Sequence, residues 1–571
     1  MKILLVSLNA KYIHSSLALR LIEGYCKDYK DYLEILELTI NHDVQQIIKQ
    51  IYQKQPDVLG LSCYIWNMDL VEEILPVLKK ILPHTQIVLG GPEVSYNSES
   101  LFNYLPIDMV IENEGEKTWY EYLQFLIEKD RRLEEIKGIV FRNSQGQIIR
   151  NQARELMALE DLPFVYEDLS GLEHKIIYYE ASRGCPFNCQ YCLSSVEKGV
   201  RFMPLERVLK EIQYFLDQKV KQVKFVDRTF NTRKQFARSI WKYLIEHDNG
   251  HTNFHFEIAA ELLEDECLTI LKDARPGLIQ FEIGVQSTNM DVLTVIDRKM
   301  PFEEIEAISL KIKRLGNIHQ HLDLIAGLPY ENYQSFRKSF NDVISLRPEQ
   351  FQLGFLKLLK GSGLRKNAEK YGIVYNPKAP YEVLYTHELS FSELLTLHEI
   401  EEMVERYYNS ERFQYTLEYL YTLFDSPFDF YEALAVYWQL HDYDKIPHKK
   451  SAYYTLLVPF AKKQKGIDLD LLKELIRLDW YLHEMVKEMP EELITLDQSI
   501  YREQSNAMLR NDDYMIQELG ISGEWTARQR LRKMHIEWFS YDVQGDKKFL
   551  NQPIPILFDY TRKNTHTLTL K

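Results

Sequence analysis

The segment Arg183-Gly184-Cys185-Pro186-Phe187-Asn188-Cys189-Gln190-Tyr191-Cys192 constrains this chain more than any other. It sets three cysteines at CxxxCxxC spacing, in a chain of 571 residues that holds only 6. So few cysteines make no disulfide scaffold, and Cys26, Cys63 and Cys267 are scattered, which points to a reducing, cytoplasmic compartment. Three thiolates on one short loop can hold three irons of a [4Fe–4S] cube and leave the fourth without a protein ligand. An open iron suits catalysis rather than structure. A structural zinc on the same thiolates would need a fourth ligand, for which His174 is nearest.

The surroundings of that loop set the architecture. Buried strands alternate with amphipathic helices over residues 1–112. Ile3–Ser7, Leu33–Leu38, Val58–Ser62, Ile87–Leu89 and Asp108–Ile111 read as strands. Between them, Val44, Ile47, Ile48, Ile51 and Tyr52 form a helical stripe. Five strands joined by helices predict a parallel, doubly wound sheet, whose ligands bind at the carboxyl ends of the strands. A turn-rich connecting hairpin over 138–160 and a linker marked by Leu162-Pro163 and Gly171 follow. From 176 the alternation restarts, with strands at Ile176–Ala181, Gln222–Val226, Phe254–Ala259, Ile279–Gly284, His321–Ile325 and Phe351–Leu356. Six such units predict an open (β/α)6 partial barrel, because a closed eight-unit barrel needs more chain, typically ~250 residues. After about 375 the strand signal fades into a helical region. There Ser390–Glu393 fits a capping box, Ser426-Pro427 fits an N-cap with first-turn proline, and Leu471, Leu475, Leu478, Leu482, Met485 and Met489 form a stripe. The expected class is α/β with a C-terminal α-helical domain. The expected boundaries are 1–135 for the Rossmann-like domain, 136–172 for hairpin and linker, 173–370 for the barrel and 371–571 for a helical domain of unknown role.

Composition narrows the partners. Asp and Glu outnumber Lys and Arg by 84 to 69, a net charge of −15. That balance disfavours a general nucleic-acid binder. No apolar run approaches a membrane span. Two local charge groupings, Asp479/His483/Glu484 and Arg528/Arg530/Arg532/Lys533, read as solvated or salt-bridged helix faces.

The cysteine spacing, with an aromatic before the last cysteine and a strand before the first, resembles the radical S-adenosylmethionine (SAM) superfamily. That resemblance implies that SAM chelates the open iron and is cleaved reductively to a 5′-deoxyadenosyl radical, with an electron donor such as flavodoxin or ferredoxin. It also implies site residues: Cys185, Cys189 and Cys192 on the cluster, and Tyr191 along the adenine. Asp227 would lie near the SAM amino group, with Glu257, Glu282 and Gln286 on barrel strands and Ile325 and Gly327 after the fifth strand. Leu324–Glu331 matches the family's G-x-I-x-G-x-x-E region only in part, because its first glycine is missing.

The N-terminal segments resemble cobalamin-binding domains fused ahead of many radical SAM enzymes. The carriers are the strand end at Asn9, Leu61-Ser62-Cys63, Gly90-Gly91-Pro92-Glu93 and Glu114-Gly115-Glu116. Glycines there let a cofactor approach the backbone closely. The family's D-x-H-x-x-G, whose His ligates cobalt, does not occur, so cobalamin without a protein imidazole is expected. His14 is the one loop histidine nearby. The resemblance implies methylation of an unactivated centre of a small molecule or peptide. The alternatives are a cobalamin-free radical SAM enzyme, methylthiotransferase-like or a cyclase, and a non-catalytic iron–sulfur or cobalamin sensor.

Overall fold

The computed structural model describes residues 1–195, 199–298, 300–513, 515–516, 525–561 and 564–568. It divides into two compact units, one of residues 1–342 and 352–394, the other of 343–351 and 395–571. Among the described residues no helix is long and apolar enough to cross a membrane.

The first unit opens with seven strands: β1 (Ile3–Asn9), β2 (Leu33–Thr39), β3 (Val58–Ser62), β4 (Gln86–Gly90), β5 (Met109–Ile111), β6 (Ile139–Arg142) and β7 (Ile148–Arg150). β1 is buried along its whole length, as a central parallel strand covered on both faces must be. The sheet order is β2-β1-β3-β4-β5-β6-β7. β1 to β5 run parallel, and the hairpin β6–β7 extends the edge antiparallel. The hairpin that the sequence reads as a connector is therefore part of the sheet. The helix Val44–Lys54 shows why the elements form where they do. Its Ile47, Ile48 and Ile51 are buried, Asp43 caps it by accepting from Gln45 N and Gln46 N, and Gln55 ends it with φ +47°. Strand order reverses between β1 and β3, so their carboxyl ends flank the switch-point crevice.

The barrel strands are β8 (Ile177–Tyr179), the short pair β9 (Ser182–Arg183) and β10 (Arg201–Phe202), then β11 (Gln222–Phe225), β12 (Asn253–Glu257), β13 (Ile279–Gln286), β14 (His319–Ala326) and β15 (Gln350–Phe355). Six of them form one open sheet in the order β15-β14-β13-β12-β11-β8. Along β13, Ile279, Phe281, Ile283 and Val285 are buried, while Gln280, Glu282 and Gly284 alternate with them at intermediate exposure. β14 alternates likewise, with His319, His321, Asp323 and Ile325 on the polar face. Period-two alternation thus gives the sheet one apolar face and one polar face. β16 (Val374–Tyr375) and β17 (Val383–Tyr385) form a small antiparallel pair after the barrel.

The second unit is helical up to Arg510. Its helices include Pro427–Leu440, Ala452–Ala461 and Leu469–His483. Ser426 caps the first of these, with proline in its first turn. The chain then departs from the expected helical domain and forms an antiparallel sheet of β18 (Met534–Tyr541), β19 (Phe549–Asp559) and β20 (Asn564–Thr567). Leu471, Leu475 and Leu478 pack on Phe539, Ile556 and Phe558, so the leucine stripe is core against this sheet. Pro553 and Pro555 hide β19 from sequence reading. Both precede Ile556–Asp559, the stretch that β20 pairs.

Arg530 of the basic run is buried and ion-paired with Asp512. Asp479 is not on a solvated face either. It is 1% exposed and accepts hydrogen bonds from Tyr415 N and Thr416 N at the start of the helix Gln414–Tyr421. Burial pushes its carboxyl up to about 7, against those hydrogen bonds. A carboxyl raised above its unfolded value stabilises the fold when protonated, and that contribution is lost as pH rises through about 7. Relative to wild type, Asp479→Asn should therefore gain stability on going from about pH 5 to about pH 8, by of order 2 kcal/mol. Urea unfolding of both proteins at the two pH values checks this; an unchanged difference refutes it.

Candidate active site

The cysteine loop leaves the barrel between β9 and the short helical turn Leu193–Ser195. Gly184 begins it at φ +98°, where a Cβ would lie 2.1 Å from Gly199 O, so only glycine fits. The loop is pinned by Gln190 N to Ile296 O (2.9 Å) and Leu364 N to Gln190 O (2.8 Å). No disulfide joins any of the cysteines. Cys185 Sγ lies 3.4 Å from Thr229 Oγ1, and Ser194 N donates to Cys192 Sγ at 3.4 Å. Burial pushes the Cys189 thiol up, opposed by the Arg298 guanidinium and the Tyr191 hydroxyl. Arg298 also reaches Tyr191 (3.5 Å) and Gly284 O, linking the loop to β13. Three thiols on one rigid loop beside a guanidinium suit thiolate ligation of an iron–sulfur cluster.

Arg183 joins this loop to the N-terminal sheet. Its guanidinium pairs with Glu180 (2.8 Å), Glu116 (2.5 Å) and Glu114 (3.2 Å), all largely buried. Arg201 adds a second pair to Glu114 at 2.5 Å. Glu114 is held below the usual carboxylate range: burial works against this, and the hydrogen bonds of Arg201 and Met157 N outweigh it. Glu114 and Glu116, expected beside a cofactor, thus also clasp the barrel.

Two cavities meet along this clasp. One, of about 580 Å³, is lined by Asn9, His14, Tyr64, Trp66, Glu180, Gly184 and Arg228 among others. The other, of about 290 Å³, lies over the carboxyl edge of the N-terminal sheet, with Ser62, Gly90, Gly91, Pro92, Glu114 and Gly115. Tyr64, Tyr96, Glu116, Arg183 and Leu193 line both. A Cβ at Gly90 would find only Ile111, at 3.8 Å or beyond, so the bare backbone leaves room at the strand end. This trough at the switch point, with bare strand ends and polar walls, fits the tail of a nucleotide-bearing cofactor. Tyr64 and Trp66 stack at 4.4 Å and wall the larger cavity. Sequence reading missed this pair, although two aromatics directly after the strand end Ser62-Cys63 were a usable signal. Nothing near Arg298 in sequence pointed to it.

Several expected site residues lie elsewhere. Cys63 is fully buried, with its thiol turned to Leu61 O, and it packs under Gly91 rather than facing the trough. Glu93 points away, to Lys360 (2.7 Å) and the Tyr381 hydroxyl. Asp227 is 1% exposed and accepts from Ala181 N (2.9 Å) and Ser182 Oγ (2.5 Å), so it roots the cysteine loop instead of lining a cavity. Burial pushes its carboxyl up to about 7. Its neighbour Arg228 lines the cavity in its place. Glu257 ends β12, and burial raises it to about 7 against the pull of Arg228. Glu282 is engaged by Lys224 (3.0 Å) and lies near His255 (2.9 Å) on the polar barrel face. Gln286, at φ +72°, is buried with Oε1 unpartnered. Ile325 is half-buried on β14, and Gly327 turns at φ +87° against Val383. His14 lines the larger cavity, with Nδ1 2.5 Å from the Tyr178 hydroxyl.

Residues 3–123 match the B12 binding domain, 179–343 the radical SAM superfamily, and 369–558 a domain described as a protein of unknown function (DUF4080). The chain is 26% identical over 351 residues to the cobalamin-dependent radical SAM methyltransferase TokK of Streptomyces tokunonensis, covering 57% of this chain and 51% of that protein. It is 25% identical over 423 residues to 2-(S-pantetheinyl)-carbapenam-3-carboxylate methyltransferase of Streptantibioticus cattleyicolor, covering 67% and 61%. The chain thus spans about half to three-fifths of the length of these relatives. In fold it is similar to the cobalamin-dependent SAM radical enzyme OxsB, with TM-score 0.58 and 16% identity over 93% of this chain and 83% of that one. Motif, strand order and domain matches agree: the chain carries a B12 binding domain, then a radical SAM domain, then a C-terminal domain of unknown function.

Proposed function

We propose that this protein is a cobalamin-dependent radical SAM methyltransferase acting on an unactivated centre of a small molecule or peptide. The observation that carries this reading is the shared wall of the two cavities. Arg183 and Glu116 border both the cysteine loop and the trough over the N-terminal sheet. Loaded, such a site would have from its cluster the electron that cleaves SAM and from cobalamin a methyl group to transfer.

The chain's own residues would hold and shield these groups. Cys185, Cys189 and Cys192 would ligate the cluster, with Arg298 and Tyr191 favouring the Cys189 thiolate and Asp227 fixing the root of the loop. Ser62, Gly90, Gly91, Pro92 and Gly115 would border the cobalamin tail. Gln286, with its unpartnered Oε1, and Glu257 would offer polar contacts toward SAM, and Ile325 and Gly327 would flank it. Asn9, Tyr64 and Trp66 would wall the substrate side and exclude water from the radical. An electron donor of the flavodoxin or ferredoxin kind would serve the cluster.

A methylthiolating reading is less well supported. One relative of that type, the tRNA-2-methylthio-N(6)-dimethylallyladenosine synthase of Thermodesulfovibrio yellowstonii, is 24% identical over 275 residues. Three N-terminal thiolates would be needed for a second cluster, and the N-terminal sheet domain has only Cys26 and Cys63, both fully buried.

The test is anaerobic reconstitution with iron, sulfide and cobalamin, followed by reduction in the presence of SAM. The expected result is a [4Fe–4S] absorption spectrum, retained cobalamin, 5′-deoxyadenosine release and products heavier by one methylene. SAM cleavage without cobalamin retention refutes the reading. Cys185→Ala, Cys189→Ala and Cys192→Ala should each abolish cluster and cleavage together, read by iron content and deoxyadenosine yield. Arg183→Met should lower stability by ~3 kcal/mol, because it strands the buried carboxylates of Glu180 and Glu116 and leaves Glu114 with Arg201 alone as its ion-pair partner. Adding Glu116→Gln should recover part of that loss in thermal unfolding, and no recovery argues against the clasp.

A further inference from the structure

The polar face of the barrel sheet carries a group of side chains that the reading above does not use. Glu282 on β13 and His321 and Asp323 on β14 each offer a ligand atom, and these atoms all lie within 4.8 Å of one another. His321 Nε2 and Asp323 Oδ1 are 3.2 Å apart. The parallel register places Glu282 opposite His321, and Gly284, with no side chain, opposite Asp323. His255 of β12 brings a further imidazole, its Nε2 2.9 Å from Glu282 Oε2. The His255 side chain is more than nine-tenths buried. His255 Nε2, His321 Nε2 and Asp323 Oδ1 are buried and make no well-aligned hydrogen bond, although the first faces Glu282 and the other two face each other. A buried polar atom left poorly matched costs of order 1–3 kcal/mol, so His321 Nε2 and Asp323 Oδ1, gathered with Glu282 at one point, call for an occupant.

We propose that Glu282, His321 and Asp323, with His255 beside them, bind a divalent transition-metal ion, for which zinc is the working probe. One imidazole and two carboxylates within reach of one ion, with a second imidazole next to Glu282, make a borderline N/O donor set suited to such an ion. Lys224 Nζ, 3.0 Å from Glu282 Oε2, serves as the outer group that orients the carboxylate. This site is separate from the cysteine loop and needs neither SAM nor cobalamin, so it stands or falls independently of the proposed reaction.

The experiment strips the full chain with a chelator, rebuilds the cluster anaerobically with iron and sulfide, equilibrates it with a zinc salt and counts metals by mass spectrometry. The expected result is about one tightly held zinc per chain in addition to the cluster iron. His321→Ala and the isosteric Asp323→Asn should each bring zinc to background while iron content and cluster spectrum stay unchanged. Circular dichroism and thermal unfolding confirm that these variants fold. The triple variant Cys185→Ala/Cys189→Ala/Cys192→Ala should lose iron and keep its zinc. No zinc above background in the wild type, zinc retained in folded His321→Ala, or zinc lost with the cysteines would each overturn the proposal.

Discussion

The guanidinium of Arg183 is the point on which the first unit turns. It faces Glu180 of its own strand-loop junction and Glu114 and Glu116 of the N-terminal domain. Buried ion pairs of this kind contribute little net stability, because desolvation offsets most of the Coulomb gain. They do penalise misplacement, since each carboxylate left unpaired in a dry interior costs several kcal/mol. The clasp thus sets a register between two domains rather than strengthening either. Its position follows from backbone chemistry: Gly184 next to it can adopt a conformation closed to other residues, which starts the cysteine loop immediately after the ion pair.

Much of this was legible in the sequence because it depended on spacing. The CxxxCxxC loop, the restart of strand-helix alternation at 176 and the stripe in Val44–Lys54 are local patterns, and local geometry decides them. Directions of polar side chains were harder. Cys63 and Glu93 flank glycines that do border the trough, yet Cys63 packs inward and Glu93 turns to Lys360. Asp227 was expected to face a ligand and instead accepts from Ala181 N and Ser182 Oγ. For Glu93 and Asp227 the deciding partner lies tens or hundreds of residues away, and no periodicity encodes it. β18 and β19 escaped for another reason. β18 does alternate over Met534-His535-Ile536-Glu537-Trp538, but its phase slips at Trp538-Phe539, and its partner β19 carries two prolines.

The barrel shows how one sheet serves two chemistries. Its apolar face supplies the packing that keeps the strands rigid. Its other face is free to carry charge, and β11 to β14 use it for Lys224, His255, Glu282, His321 and Asp323. Charged groups gathered on a rigid sheet cannot easily relax apart, so their mutual fields persist whatever enters the cavity.

The bond from Glu93 to Tyr381 and Lys360 bears on how such chains can be cut and recombined. Residues 352–394 fold with the first unit, while the matched C-terminal domain begins at 369. A chain divided at 370 would remove the Tyr381 phenol and leave Glu93 buried with Lys360 as its remaining partner. The modules recognisable in sequence are therefore not the units of independent exchange. Evolution could shuffle this C-terminal domain onto another barrel only by carrying its first two dozen or so residues' obligations along, or by redesigning the glycine loop they support.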